Sequence, residues 1–159
     1  MTDAERIRMR PVTPEDGEFL LAVYAAAREI EMALVPWDET QKLAFLRQQF
    51  AAQTSYYASE FPTASHNIIL FDDAAVGRLY VERKPERTTI LDITVLPRYR
   101  KNGIGTALIS GLIGENRPVS VQVEPFNPSR DLFTRLGFSV ASDGGANLRM
   151  QWTPDQNDA

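Results

Sequence analysis

The amino-acid sequence predicts one mixed α/β domain, in which several helices pack against a central sheet. Its 159 residues are a usual size for a domain with a single hydrophobic core. Apolar residues recur at helical spacing near the N-terminus, whereas residues 67–96 are rich in β-branched and other aliphatic residues. No internal repeat, low-complexity segment or linker interrupts the chain. We therefore expect residues 1–159 to form a single domain.

The N-terminal part is predicted to contain one strand and two helices. Apolar residues and arginines alternate over residues 7–11, as in a short half-buried strand. Thr13 stands three residues before Asp16, a spacing typical of a helix N-terminus with a capping box. The apolar pattern places the two helices at 14–30 and 40–59, and a proline–tryptophan pair separates them.

The remaining elements follow from changes in the hydrophobic period. Residues 67–71 and 76–83 predict a hairpin that turns at Asp72-Asp73, and residues 88–96 predict a third strand. An amphipathic helix is predicted next, at 102–115. The last predicted elements are strands at 119–123, 138–142 and 147–152 and a short helix at 129–136. The order β-α-α-β-β-β-α-β-α-β-β describes a fold class and does not by itself identify a function.

Composition and charge argue against several functions. The chain has no cysteine, so it offers no thiolate to a metal or a substrate. His66 is its only histidine, and a lone histidine beside a strand is more often a hydrogen-bonded structural residue than a ligand. The net charge of −4 argues against general nucleic-acid binding, and no apolar run reaches the roughly 20 residues that span a bilayer. Because its first ten residues show no apolar leader, the sequence predicts a cytoplasmic protein. With no cysteine and one histidine, we expect the protein to use no metal.

A basic turn with two glycines is the most informative stretch of the sequence. It follows the third predicted strand and reads Arg-Lys-Asn-Gly-Ile-Gly-Thr from Arg100 to Thr106. Free backbone N–H groups at a helix start favour an anion, and the glycines let a phosphate approach the backbone. The same glycines also fit tight packing of the helix on the sheet. A dinucleotide fingerprint needs a glycine where the chain has Leu108, and the Gly-Lys-Ser/Thr of a nucleotide P-loop is absent.

Two motifs resemble those of the GNAT superfamily of N-acyltransferases. Residues 95–105, Val-Leu-Pro-x-x-Arg-x-x-Gly-Ile-Gly, resemble its acyl-CoA motif Gln/Arg-x-x-Gly-x-Gly/Ala. Residues 127–138 resemble its later motif of an asparagine, a short helix and Leu-Gly-Phe. The predicted order of elements is also similar to that fold. The resemblance implies a mixed, mostly antiparallel sheet of about seven strands, with a V-shaped splay between strands 4 and 5 and about four flanking helices.

The resemblance also implies acetyl-CoA as cosubstrate and indicates the residues that bind it. The backbone around Val95 is expected to pair with the pantetheine arm, and the amides of residues 101–106 to surround the pyrophosphate. Asn127 is expected to contact the pantetheine or a nearby water, and it can also cap the following helix. The implied cofactor-binding residues are Thr94, Val95, Leu96, Arg100, Lys101, Asn102, Gly103, Ile104, Gly105, Thr106 and Asn127.

One carboxylate is the predicted catalytic base, and one acid common in the family is missing. Many members have a tyrosine four residues before the Leu-Gly-Phe glycine, assigned as the acid, where this chain has Phe133. Asp92 is the predicted base, because it alternates with core residues on the strand that enters the cofactor motif. The alternative for Asp92 is an ion pair with Arg78 on the neighbouring strand. Glu82 is a weaker candidate, in what reads as a solvated hairpin end, and Gln122 occupies a position where some relatives carry a catalytic glutamate.

The sequence therefore predicts an enzyme that transfers an acetyl group from acetyl-CoA directly to a primary amine within a ternary complex. The amine belongs to a small molecule or a protein. The resemblance implies that its recognition varies with residues 28–65, which show no motif of their own. The alternative is a catalytically weak or inactive module that senses acyl-CoA, which Phe133 favours. A nucleotide-binding α/β protein is a third hypothesis, against which the absent glycine and lysine count. No nucleic-acid or membrane partner is expected, and the chain is predicted to be a monomer or a homodimer.

Overall fold

The computed structural model describes residues 3–123, 129–143 and 148–154, in which a seven-stranded sheet carries helices on both faces. The strands are β1 (Ile7–Pro11), β2 (Ser65–Phe71), β3 (Ala74–Lys84), β4 (Arg87–Val95), β5 (Val119–Val123), β6 (Ser139–Asp143) and β7 (Leu148–Trp152). The helices are α1 (Asp3–Arg6), α2 (Gly17–Ala27), α3 (Glu29–Ala33), α4 (Glu39–Glu60), α5 (Ile104–Ile113) and α6 (Ser129–Arg135).

The sheet has the strand order β1-β2-β3-β4-β5-β7-β6. Neighbouring strands are antiparallel except β4 and β5, which run parallel. A parallel pair needs a crossover connection, and α5 supplies it between these two strands. The predicted mixed, mostly antiparallel sheet of seven strands is therefore confirmed.

Strands β4 and β5 pair over three residues and then separate. Residues 88–90 of β4 pair with residues 119–121 of β5, and the described part of β5 has no pairing with residues 91–95. On its other side β4 stays paired with β3, with a bulge at Leu91. The predicted V-shaped splay is confirmed, and it leaves the β5-facing backbone of residues 91–95 without a strand partner among the described residues.

Two apolar clusters hold the helices against the sheet. The larger cluster joins α5 and α6 to strands of both halves of the sheet, and Ile109, Val121 and Phe133 are among its buried members. The smaller cluster consists of Tyr24, Met32 and Leu46 and joins α2, α3 and α4. Burial of this apolar surface provides the main stabilising free energy of the fold, at about 25 cal/mol per Å².

Asp16 fastens the N-terminus of α2 to strand β1. Its carboxylate accepts two hydrogen bonds from the Arg10 guanidinium, at 2.8 and 2.9 Å, and one from the Thr13 backbone N–H at 2.7 Å. The hydrogen bond from Arg10, followed by that from Thr13, holds the pKa of Asp16 well below its usual value. The predicted helix start at Thr13 is confirmed, although its first turn, Pro14–Asp16, is a 3₁₀ helix.

The N-terminal helices differ from their predicted bounds. The first helix divides at Arg28, whose φ of −111° and ψ of 11° are not helical, so α2 and α3 are separate helices. Helix α4 begins at Glu39 because Asp38 caps it. The Asp38 carboxylate accepts from the Gln41 backbone N–H at 2.8 Å, and the Gln41 side chain accepts from the Asp38 N–H at 3.1 Å. Helix α1 was not predicted, since four residues are too few to show a period.

Helix α5 begins two residues later than predicted. Lys101 and Gly103 have φ angles of +70° and +76°, so the chain between them cannot continue a right-handed helix. Gly103 is instead the N-cap of α5. The helix therefore starts directly after the glycine turn, and its first amides face the end of β4.

Candidate functional site

Two cavities meet at the splay between β4 and β5. The loop cavity has a volume of about 410 Å³ and is lined by the end of β4, the turn before α5 and the start of α6. The sheet cavity has a volume of about 390 Å³ and is lined by α4 and by strands β3, β4, β5 and β7. Ala27 and Thr94 line both cavities. Two ligands can therefore bind with their reactive ends close together, near Thr94.

The loop cavity brings together most of the predicted cofactor-binding residues. Those that line it are Thr94, Val95, Arg100, Lys101, Gly103, Ile104, Gly105 and Thr106. Tyr99, Ser129 and Arg135 also line it and were not predicted. Three cationic side chains and no carboxylate stand among the described lining residues, so this cavity favours an anion.

The first turn of α5 adds backbone donors to this positive cavity. The first hydrogen bond of the helix runs from the Ala107 N–H to the Gly103 carbonyl, at 3.0 Å. The amides of residues 104–106 have no place in the helical ladder, and they lie at the positive end of the helix dipole. A phosphate placed here accepts several hydrogen bonds in a region of positive potential.

The two glycines of the turn are accommodated for different structural reasons. Gly103 has a left-handed φ of +76°, and a Cβ added to it would meet no atom within 4 Å. The space beside Gly103 is therefore open to a ligand. A Cβ on Gly105 would lie only 2.9 Å from the Leu132 side chain, so Gly105 allows α5 and α6 to pack closely. The packing interpretation therefore applies to Gly105, and the phosphate interpretation stays a prediction for Gly103.

Two predicted cofactor-binding residues, Leu96 and Asn102, do not line the loop cavity, and the position of a third is not described. The Leu96 backbone N–H donates to the Val76 carbonyl at 2.8 Å, so it is engaged by β3. The Asn102 side chain donates to the Tyr99 carbonyl at 2.9 Å and stabilises the turn. Asn127 lies outside the described residues. The roles of these three residues in binding remain predictions.

Asp92 lines the sheet cavity and is at the same time part of a buried ion pair. Its Oδ2 accepts from Arg78 Nε at 2.5 Å, and its carboxylate also accepts from the Thr94 hydroxyl at 3.0 Å. Arg78 is only 2% exposed, and its Nη2 donates to Gln53 Oε1 at 2.7 Å. The predicted pair with Arg78 is therefore present, while the 24% exposed side chain of Asp92 still reaches the cavity.

The expectation that Glu82 lies in a solvated hairpin end is wrong. Glu82 is 7% exposed, lines the sheet cavity and lies 3.9 Å from Lys84 Nζ. It is buried because β3 continues to Lys84, so Glu82 is still within the sheet, opposite Thr89 of β4. Gln122 lines the same cavity from β5. The cavity thus has a buried carboxylate in addition to the partly exposed Asp92, and Glu82 is a stronger candidate base than its sequence context indicated.

Tyr57 lines the sheet cavity, although an aromatic residue at helical spacing is more often part of a core. Its hydroxyl donates to the Leu91 carbonyl at 2.9 Å, at the bulge where β4 leaves β5. Its ring packs edge-on against Tyr80, with centroids 5.1 Å apart, and it lines the sheet cavity beside Tyr56. Tyr57 therefore anchors α4 to the splay. Helical spacing cannot distinguish such a residue from a core aromatic, and only its phenolic hydroxyl hints at a polar partner.

Phe133 is part of the apolar core. It is 1% exposed, and its ring meets Phe138 edge-on at 5.0 Å. It lines neither cavity. A phenyl ring has no proton to donate, and this one packs away from the two cavities.

His66 is held by ring stacking and does not line either cavity. Its ring lies on Tyr80 with centroids 4.1 Å apart and an interplanar angle of 10°. Its Nε2 is buried and has no hydrogen-bond partner among the described residues. Burial, and then the positive charge of Arg78, lower the pKa of His66 to about 4. The structural interpretation of His66 fits this environment, with stacking in place of the expected hydrogen bond at Nε2.

The lowered pKa of His66 predicts a loss of stability in mild acid. Between its ordinary pKa of 6.5 and about 4, the unfolded chain binds a proton that the folded chain does not. The free energy of unfolding therefore falls as the pH decreases through this window, by about 1–2 kcal/mol between pH 7 and pH 5. Urea unfolding at both pH values measures this change, and His66→Gln is expected to reduce it. An equal loss in both proteins would show that other groups cause it.

The described residues show neither a metal-binding group nor a membrane-crossing helix. No cluster of three or more histidine, cysteine, aspartate or glutamate side chains that could hold a metal lies among them. None of their helices is both long and apolar enough to cross a bilayer.

A family model matches most of the chain. The model described as the acetyltransferase (GNAT) family matches residues 24–138, which include the glycine turn and the Leu-Gly-Phe segment. A search among curated proteins found no match. The family match therefore rests on a general family pattern.

Solved structures of similar fold come from several acetyltransferases. The PaiA N-acetyltransferase of Thermoplasma acidophilum, in complex with coenzyme A, is 16% identical, with a TM-score of 0.66 over 92% of this chain and 98% of its own. An acetyltransferase of Thermus thermophilus is 16% identical, with a TM-score of 0.65 over 95% and 99%. Arabidopsis thaliana Naa50, bound to the bisubstrate analogue CoA-Ac-MVNAL, is 15% identical, with a TM-score of 0.57 over 93% and 99%. At this identity the likeness concerns the fold.

Proposed function

The chain belongs to the GNAT acetyltransferase family, and from this premise we propose that it transfers the acetyl group of acetyl-CoA to a primary amine. The observation that carries the proposal is the pair of cavities that meet at Thr94. One of them has a cationic glycine turn suited to a pyrophosphate, and the other has the carboxylates of Asp92 and Glu82, which are suited to an amine. Adjoining cavities of this kind favour direct transfer between two bound substrates.

In this proposal the loop cavity holds the cosubstrate. The free amides at the start of α5 donate to the pyrophosphate, and Arg100 and Lys101 balance its charge. The β5-facing backbone of residues 91–95, which no strand pairs with among the described residues, offers hydrogen-bonding groups to the pantetheine arm. Two of its carbonyls already accept hydrogen bonds, that of Leu91 from the Tyr57 hydroxyl and that of Val95 from Arg100 Nε. Two structures of similar fold support this assignment, since they are described with coenzyme A and with a CoA-containing bisubstrate analogue. Acetyl-CoA supplies the activated acyl group and a thiolate leaving group.

The sheet cavity holds the acceptor amine and its base. Asp92 accepts a proton from the acceptor ammonium, directly or through a water, so that the neutral nitrogen can attack the thioester carbonyl. Glu82 is the second carboxylate able to serve in the same cavity. Phe133 cannot protonate the departing sulfur, but an alkyl thiol with a pKa of about 8.5 leaves acceptably as a thiolate near neutral pH. A missing acid lowers the rate without removing the contribution of proximity.

A second candidate function is binding of acyl-CoA without transfer. The buried Phe133 favours it, and so does the engagement of Asp92 by Arg78. A cytoplasmic location and a monomeric or homodimeric state belong to the proposal in either case.

Incubation of the protein with acetyl-CoA and a panel of amines tests the proposal. The panel contains polyamines, amino acids with their carboxamides, and short peptides with free N-termini. Release of the CoA thiol together with an acetylated product in the mass spectrum is the expected result for at least one amine. Binding of acetyl-CoA without release on any member would favour the sensor function, and absence of acetyl-CoA binding would contradict both.

A further inference from the structure

The sheet cavity has an arginine on the arm of the splay opposite β4, and one of its side-chain donors has no partner among the described residues. Arg149 lies on β7 and pairs in register with Gln122 of β5, and both residues line the cavity. The Nε of Arg149 is buried, and among the described residues it has no hydrogen-bond acceptor. A buried charged donor without an acceptor is costly. The Arg149 side chain as a whole is half-buried and lines the cavity, so an anion that a ligand brings can bind its guanidinium.

The carboxylates of the sheet cavity do not satisfy Arg149. Asp92 accepts from Arg78 at 2.5 Å, and Glu82 lies 3.9 Å from Lys84 Nζ. The remaining carboxylate of the lining, Glu60, is exposed at the C-terminal end of α4. None of the three accepts a hydrogen bond from Arg149 Nε. The β7 side of the cavity is therefore positive, while its β4 side has the predicted base.

The distance across the splay limits the kind of ligand that can use both sides. Strand β5 lies between β4 and β7, so the backbones that carry Asp92 and Arg149 are at least two strand spacings apart, or about 10 Å. Because β4 and β5 no longer pair at Asp92, the splay adds to this distance. The long arginine side chain shortens this span. A small molecule with an amine at one end and an anionic group a few bonds away can therefore contact both residues. A guanidinium presents parallel N–H groups that match the two oxygens of a carboxylate.

We propose that the acceptor has a carboxylate in addition to its amine, and that Arg149 binds this carboxylate. The proposal rests on the proposed function for the role of the amine. An extended polyamine would instead bring positive charge against Arg149, which is unfavourable. The acceptor class is thus an amino acid or a close analogue, oriented with its amine towards Asp92 and its carboxylate towards β7.

Calorimetric binding to the CoA-loaded protein tests this assignment without requiring turnover. The probes are the proteinogenic amino acids, each paired with its carboxamide, which keeps the amine and removes the negative charge. At least one amino acid is expected to bind about tenfold more tightly than its carboxamide. Arg149→Gln is expected to reduce this preference to less than about threefold, and Arg149→Lys to keep part of it. Arg8→Gln removes one exposed cation that lines neither cavity and should leave the preference unchanged.

The outcomes separate this inference from the proposed reaction. The carboxylate assignment is overturned if no amino acid binds more tightly than its carboxamide, or if the preference persists in Arg149→Gln. Thermal unfolding of the variants ensures that folded proteins are compared. Selective carboxylate binding without acetyl transfer would support the assignment and contradict the proposed reaction. Acetyl transfer to amines without any carboxylate preference would support the reaction and contradict the assignment.

Discussion

Replacement of Gly103 by valine is expected to weaken acetyl-CoA binding by about 100-fold or more. Such a loss corresponds to about 2.7 kcal/mol, the value of one or two charge-assisted hydrogen bonds. Gly103 has a φ of +76°, and the space where a Cβ would point is open within 4 Å. Valine would fill the space next to the free amides of α5, and a β-branched residue is also strained at positive φ. Calorimetric titration of both proteins with acetyl-CoA measures the effect.

Two control variants separate occupied space from backbone strain. Asparagine tolerates the left-handed conformation and can cap a helix, so Gly103→Asn adds a side chain with less strain. It is also expected to weaken binding. Gly111 lies on the exposed side of the same helix with nothing within 4 Å, and Gly111→Ala should bind acetyl-CoA as the wild type does. Normal binding by Gly103→Val would contradict the placement of the pyrophosphate. A loss in valine but not in asparagine would assign the effect to strain.

Replacement of Asp92 by asparagine is expected to lower the rate of acetyl transfer by about 100-fold or more, because a positioned base contributes typically 10²–10⁴-fold. Asparagine cannot take a proton from the acceptor ammonium. Its side-chain oxygen can still accept the hydrogen bond from Arg78, so the buried guanidinium keeps a partner. The affinity for acetyl-CoA is therefore expected to change by less than about threefold. Steady-state kinetics and calorimetry on the same preparation measure the two quantities.

A matched substitution of Glu82, the buried carboxylate of the sheet cavity, provides the comparison for Asp92→Asn. Glu82→Gln makes the same chemical change at a second position, and we expect a smaller loss of rate there than in Asp92→Asn. A larger loss in Glu82→Gln would assign the base to Glu82. Thermal unfolding tests whether Asp92 has a structural role. A lower melting temperature of Asp92→Asn with normal turnover would show that Asp92 positions Arg78 and is not the base.

The elements of the sheet and the glycine turn could be predicted because their signals are local. Alternating apolar residues identify β1, and β-branched and other aliphatic residues identify the β2–β3 hairpin. The turn chemistry of residues 100–106 directly precedes an amphipathic helix. The splay between β4 and β5 came from the resemblance of two motifs to a known family. Secondary-structure propensity does not predict the splay, because the splay depends on where two strands that are distant in the sequence stop pairing.

The errors concern contacts between distant parts of the chain. Glu82 was placed in solvent because its neighbours are charged, whereas β3 extends past it and α4 covers it within the sheet cavity. Tyr57 and Arg149 contribute to the same cavity from α4 and β7, and no spacing rule connects them in the sequence. Arg28 divides the first helix without any proline or glycine to signal a break. Tertiary context overrides local propensity at each of these positions.

Comparison of acetyl-CoA with S-acetylpantetheine in a calorimetric titration of the wild-type protein tests the central claim most directly. The two compounds share the thioester and the pantetheine arm. Only acetyl-CoA has the pyrophosphate that the cationic turn and the start of α5 are proposed to hold, together with the phosphorylated adenosine attached to it. We expect acetyl-CoA to bind at least about 100-fold more tightly, with an affinity that falls as the salt concentration rises. Equal affinities for the two compounds, or no binding of acetyl-CoA, would contradict the assignment.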